Sequence, residues 1–154
     1  MERTLQQTNS NCIKVVLFGP ESTGKSTLAK ELADHYNSIY VDEYAREYLQ
    51  KKYDLNQEIC SYDDLIPIAK GQIRLENEAS KKCNSILFCD TDLLTTKIYS
   101  EIYFDKCDPL INEYAIKNKY DLYLLMDVDI PWVKDDLRDS RMREKKSLNI
   151  LKKH

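Results

Sequence analysis

The 154-residue sequence holds only three glycines, four prolines, two histidines and one tryptophan. With glycine confined to positions 19, 24 and 71, there is no glycine-rich linker, low-complexity segment or internal repeat. Two histidines, His35 and His154, leave little from which to build a histidine metal site. The five cysteines (Cys12, Cys60, Cys83, Cys89, Cys107) include no C-x-x-C pair. An odd, unpatterned set suits reduced thiols in a cytosolic protein, and Cys89 within "ILFCD" reads as a small core hydrophobe. No apolar run approaches the ~20 residues of a membrane span. The start, "MERTLQQTNSN", lacks the apolar core of a secretory signal. An excess of positive charge is missing too, since 23 Lys and Arg face 26 Asp and Glu for a net charge of −3. A protein that binds nucleic acid through phosphates is usually basic. The expectation is therefore a cytoplasmic protein without nucleic-acid or membrane partners.

The chain does have four short, unbroken apolar runs: "CIKVVLF" (12–18), "SIYV" (38–41), "SILFC" (85–89) and "DLYLLMDV" (121–128). They are too continuous for half-exposed hairpin strands and too short for helices, so they predict buried strands. Stretches with helical spacing separate them. Ser61 with Asp64 forms a helix-start signature for a helix reaching about Lys82; others start near Asp92 and near Asp108-Pro109. Alternating strands and helices predict a three-layer α/β fold with a mostly parallel sheet. Residues 1–11 read as a polar tail and 12–154 as one domain. A five-stranded sheet calls for one more strand after the terminal "MREKKSLNILKKH" helix. Either an edge stays open or the chain is shortened, and the second reading is preferred.

The first apolar run leads into Gly19-Pro20-Glu21-Ser22-Thr23-Gly24-Lys25-Ser26, a full G-x-x-x-x-G-K-[ST] motif. Its glycines let backbone N–H groups curl around an anion, and the following helix aims its positive end at the same place. In such loops the lysine, here Lys25, reaches the β- and γ-phosphates, and the hydroxyl of Ser26 is placed to ligate Mg²⁺. Strands two and three end in acids: Asp42 and Glu43 after "SIYV", then Asp90 and Asp92 around "LFCDTD". Strand C-termini of a parallel sheet gather on one edge, so these carboxylates should face the nucleotide. Asp90 is the expected partner of Ser26 on the metal, because Mg²⁺ takes few protein oxygens and keeps waters. Each acid has an alternative reading as a helix cap or first-turn charge. "IYVDE" also resembles a motor-ATPase signature, but it follows Lys25 too closely for the neighbouring strand of that class.

"NKYD" (118–121) fits the guanine-reading motif N-K-x-D. It precedes an apolar run instead of following one, which places Asp121 at the wrong end of the sheet. No D-x-x-G is present, because Ile68 stands three residues before the only later glycine, Gly71. Both points argue against a GTPase. The one dense basic stretch, "RDSRMREKK" (138–146), places Arg138 and Arg141 on one helical face. Arginines there can close over a transferring phosphoryl group, or simply form a solvated charged face.

Taken in order, "GPESTGKSTLAKEL", "EYAREYL", "YDDLIPIAKGQIRLENEA", "FCDTDLLTTKIY" and "DLYLLMDVDIPWVKDDLR" resemble the ribosylnicotinamide kinase domain of NadR-type proteins, a branch of the P-loop small-molecule kinases. The sequence departs from that pattern at Asp136, where the family often has glycine. The resemblance implies phosphorylation of the 5′-hydroxyl of nicotinamide riboside by MgATP. It implies that residues Gly19 to Thr27 hold the ATP phosphates. Glu43, Tyr44, Arg46, Asp90 and Asp92 would border the riboside, and Arg138 and Arg141 would belong to a lid. Lys25 and the arginines would stabilise the moving phosphoryl group, and Glu43 or Asp92 would orient or deprotonate the hydroxyl. A kinase of another nucleoside and an ATP-binding regulatory module are the competing readings.

Overall fold

The computed structural model describes residues 5–19 and 24–126. Its centre is a sheet of four parallel strands: β1 (Ile13–Phe18), β2 (Ile39–Val41), β3 (Ile86–Asp90) and β4 (Leu122–Leu125), in the order β2-β3-β1-β4. Each expected apolar run yields a strand. Successive side chains of β1 go to opposite faces. Val15 and Leu17 pack with Phe88 against Ala29 and Ala33 of α1 (Lys25–His35). Val16 and Phe18 pack with Leu87 and Cys89 toward Ile98 of α4 (Leu93–Phe104) and Leu75 of α3 (Leu65–Lys82). Covering both faces keeps β1 and β3 mainly apolar and gives the expected three layers, but β4 is not the buried strand expected, since Leu122, Tyr123 and Leu125 are exposed. A further core joins Leu65, Ala69 and Ile73 of α3 to Leu93 of α4 and to Ile111 and Tyr114 of α5 (Pro109–Lys117). The remaining helix, α2 (Tyr44–Asn56), has no fully buried residue.

Local chemistry sets the helix starts. Asp64 Oδ2 accepts from Ser61 N at 2.8 Å in the short 3₁₀ turn that opens α3. Asp92 Oδ1 accepts from Thr95 N ahead of α4. Asp108 Oδ1 accepts from Leu110 N at 2.8 Å, with Pro109 in the first turn of α5. Each side chain satisfies an amide that the helix itself leaves without a partner. Asp121 lies before β4, and its Oδ2 accepts from Lys14 N, far from the ends of the strands that meet phosphate. The "NKYD" match is therefore a structural turn. The basic segment at 138–146, the expected terminal helix and any further strand fall outside the described residues.

Two expectations are corrected. Residues 5–11 are not a free polar tail. Leu5 is fully buried in the α3–α4–α5 core. Gln7 accepts from Lys119 N (2.7 Å) and donates to Lys119 O (3.0 Å), so its carboxamide pairs like a short piece of strand. One leucine among polar residues carries no periodicity, and side-chain pairing of this kind has no sequence signature. The second correction concerns the thiols. Cys12 and Cys83 form a disulfide, while Cys60, Cys89 and Cys107 are free. The β1–β3 register pairs Ile13 with Ile86, which brings the preceding Cys12 beside the end of α3, Cα to Cα 6.1 Å from Cys83. Spacing rules for cysteine pairs cannot see a contact between residues 71 apart. Reducing this bond should lower the unfolding free energy by about 2–4 kcal/mol, because it closes a long loop in the unfolded chain. Urea unfolding with and without dithiothreitol, alongside Cys12→Ser, measures this. A midpoint indifferent to reductant would contradict it.

Candidate active site

The C-terminal ends of β1, β3 and β2 share one edge, as parallel strands require. The strand order places β3, not β2, beside the phosphate-loop strand, so Asp90 is the acid on the neighbouring strand. Gly24 starts α1 with φ +81°, a left-handed conformation that a side chain would strain. This turn swings Lys25 and Ser26 back over the sheet edge. Lys25 Nζ donates to Gly19 O at 3.0 Å. The Ser26 hydroxyl donates to Asp90 Oδ2. Thr27 follows on an exposed part of the first turn of α1. Pro20, Glu21, Ser22 and Thr23 fall outside the described residues, as do Arg138 and Arg141.

Asp90 is 1 % exposed, and among the described residues its Oδ1 has no hydrogen-bond partner. Burial pushes its pKa up to about 6, helped by the charges of Glu43 and Asp42 and opposed by Lys25 and Ser26. A buried, half-satisfied carboxylate touching a hydroxyl at a phosphate loop offers hard oxygen donors, and these residues fit Mg²⁺. Glu43 stands at the start of α2 but makes no capping bond through its side chain. Arg46, one turn on, is exposed. Tyr44 lays its ring on Gly71 so closely that a Cβ there would meet ring carbons at 2.1–2.5 Å, and the Arg74 guanidinium lies 5.4 Å from the ring centroid.

Asp92 behaves differently from Asp90. Thr91 between them has φ +73°, an uncommon conformation for a β-branched residue, and its N–H reaches Leu17 O at 3.1 Å. This kink points the two aspartates apart. Asp92 turns inward, 2 % exposed, with Oδ1 capping α4 and Oδ2 accepting from Tyr123 OH at 3.3 Å. Burial raises its pKa to about 7, against the pull of the Thr95 amide and the Tyr123 hydroxyl and with the push of Glu76. The structure therefore brings Lys25, Ser26, Asp90 and Glu43 to one edge and leaves Asp92 beneath it. Sequence reasoning missed Gln72 and Glu76, two of several polar residues inside one helical stretch, and the strained Thr91.

The fold and this edge define a P-loop nucleotide-binding domain. The chain belongs to the AAA domain family, whose model matches residues 14–151. It is 32 % identical over 139 residues to the trifunctional NAD biosynthesis/regulator protein NadR of Escherichia coli K12, covering 89 % of this chain and 34 % of that protein. Against NadR of Salmonella typhimurium LT2 the identity is 33 % over 124 residues, 80 % of this chain and 30 % of the other. The chain thus spans about a third of the length of these relatives. It is also 31 % identical to a shikimate kinase of Staphylococcus aureus JH9, over 71 % of this chain and 74 % of that one. Among solved structures, a NadR protein in complex with NR superposes with TM-score 0.73 at 26 % identity, covering 91 % of this chain and 40 % of the other. A NadR protein with NAD and AMP-PNP gives 0.72 at 28 %, with the same coverage. The thymidylate kinase of Ehrlichia chaffeensis shares the fold, with TM-score 0.59 at 18 % identity over 92 % of this chain and 82 % of the other. The resemblance to NadR read from the motifs is borne out, and the named kinases among these relatives support a kinase. Among the described residues no helix is long and apolar enough to cross a membrane.

Proposed function

We propose that this chain is an ATP-dependent kinase that phosphorylates the 5′-hydroxyl of nicotinamide riboside to nicotinamide mononucleotide. The observation that carries the reading is the convergence of Lys25, Ser26, Asp90 and Glu43 on one sheet edge, in a chain similar to NadR proteins that were solved with NR and with AMP-PNP. Residues Gly19 to Thr27 would cradle the ATP phosphates. Ser26 and Asp90 would hold Mg²⁺, which when bound neutralises phosphate charge. Lys25 would stabilise charge on the transferred group. Glu43, at the open edge, would accept the proton of the attacking hydroxyl, with Tyr44 and Arg46 bordering the riboside. Asp92 would act from below, through the turn it caps. Arg138 and Arg141 would close over the phosphates. Phosphoryl transfer of this kind needs no covalent enzyme intermediate, so positioning and electrostatics supply the rate.

The test is ADP release with MgATP over a nucleoside panel. Nicotinamide riboside should give the highest kcat/KM. Faster turnover of another nucleoside would reassign the acceptor. Tight ATP binding without turnover of any riboside would make the chain a regulatory module and overturn the proposal.

A further inference from the structure

The segment that presents Glu43 buries little of itself, although Tyr48 and Lys52 farther along α2 bond Asp64 ahead of α3. β2 has three residues, the connection to α2 has two, and α2 buries no residue fully. The anchor comes from α3. Gln72 is 4 % exposed, and its carboxamide reaches out of α3 to the main chain on both sides of Glu43. Its Oε1 accepts from Tyr44 N at 2.8 Å, and its Nε2 donates to Asp42 O at 3.1 Å. The Tyr44 amide is one of the first-turn donors that a helix leaves without an internal partner, so Gln72 acts as a cap supplied by another element. The preceding residue, Gly71, lets the Tyr44 ring lie directly on the α3 backbone, and Arg74 faces the same ring.

We infer that Gln72 is a positioning residue for the transfer: its carboxamide clasps the main chain on either side of Glu43 and holds that carboxylate at the sheet edge beside Asp90. This rests on the proposed role of Glu43. No other uncharged side chain of this length both donates and accepts, so both bonds require glutamine. Replacing it by an isosteric apolar residue leaves a part-buried N–H and C=O without partners and frees the loop. A misplacement of about 1 Å at a reacting group can lower the rate on the order of 10²-fold.

The test compares Gln72→Met, Gln72→Glu and Glu43→Gln in the whole chain, with MgATP and nicotinamide riboside, or with the riboside of highest turnover in the panel. Gln72→Met should lower kcat roughly 10- to 100-fold and leave the Kd for ATP unchanged, because both bonds of the carboxamide go to the main chain of Asp42 and Tyr44. In Gln72→Glu a neutral carboxyl can make both bonds, whereas the ionised carboxylate repels Asp42 O. Its kcat, as a ratio to wild type at each pH, should therefore recover as pH falls, while the ratio for Gln72→Met stays flat. A purely structural role would shift ATP affinity and Tm without this pH signature. If Gln72→Met retains kcat within about twofold while Glu43→Gln is inactive, the clasp proposal is overturned and the reading of Glu43 stands. Parallel loss of ATP binding in Gln72→Met overturns it equally. Full activity in Glu43→Gln removes the role of Glu43 itself, and the clasp with it.

Discussion

Asp90→Asn should inactivate the enzyme and stabilise the fold. Loss of the metal-side carboxylate is expected to cut kcat by roughly 10²–10³-fold, the usual effect of removing one preorganised electrostatic group. Stability should move the other way. The folded pKa of Asp90, about 6, lies above the ordinary 3.8, so the folded state binds the proton more tightly than the unfolded chain. Stability therefore falls as pH rises from about 4 to 6 and stays lower above that window. Because the group is 1 % exposed, the cost of its ionisation is little screened, and removing it should return about 2–3 kcal/mol at neutral pH. Wild type should also gain Tm on adding Mg²⁺ with an ATP analogue by more than the variant does. Urea midpoints across pH 4–7 and ADP release read both effects. Activity within tenfold of wild type in Mg²⁺ would sink the metal-side assignment.

Glu76→Ala should be among the most destabilising single changes, by about 3–5 kcal/mol, because it strands a buried charge. Glu76 is 1 % exposed and pairs with Lys14, 6 % exposed, at 3.2 Å. It also accepts from Tyr120 OH at 2.6 Å and from Gln7 Nε2 at 2.9 Å. One carboxylate thus ties β1, the turn before β4 and the amino-terminal segment to α3. Removing it leaves the Lys14 ammonium, the phenol and the amide without their acceptor. The double change Lys14→Met with Glu76→Met should recover part of the loss, since it removes the stranded ammonium but still leaves the Tyr120 hydroxyl without its acceptor. Urea unfolding of both variants beside wild type tests this. A single variant within 1 kcal/mol of wild type, on the scale of an exposed pair, would refute it.

What could be read from the sequence was what depends on neighbours in the chain. The four strands, the capped starts at Ser61, Asp92 and Asp108-Pro109, the phosphate loop and the misplaced "NKYD" all followed from local residue order. Contacts made by single side chains across the fold were not legible. Leu5 looks like any residue of a polar segment, and Cys12 and Cys83 meet only because β1 and β3 are in register. The role of Asp92 lay between these limits. Both a pocket acid and a helix cap suited the sequence, and the structure shows the cap in the bond from Thr95 N to Asp92 Oδ1.

The strand order also has a consequence for how the molecule assembles. β1 precedes the other described strands in the chain, yet its partners are β3, 73 positions on at the Ile13–Ile86 pair, and β4, 107 positions on at the Val15–Leu122 pair. The phosphate loop follows an inner strand of the described sheet, which is paired on both sides only after β3 and β4 have been made and long loops have been closed. Such non-local pairing lowers folding rates, because closure entropy is lost before contacts repay it. The residues proposed to hold nucleotide are thus among the last to be put in place.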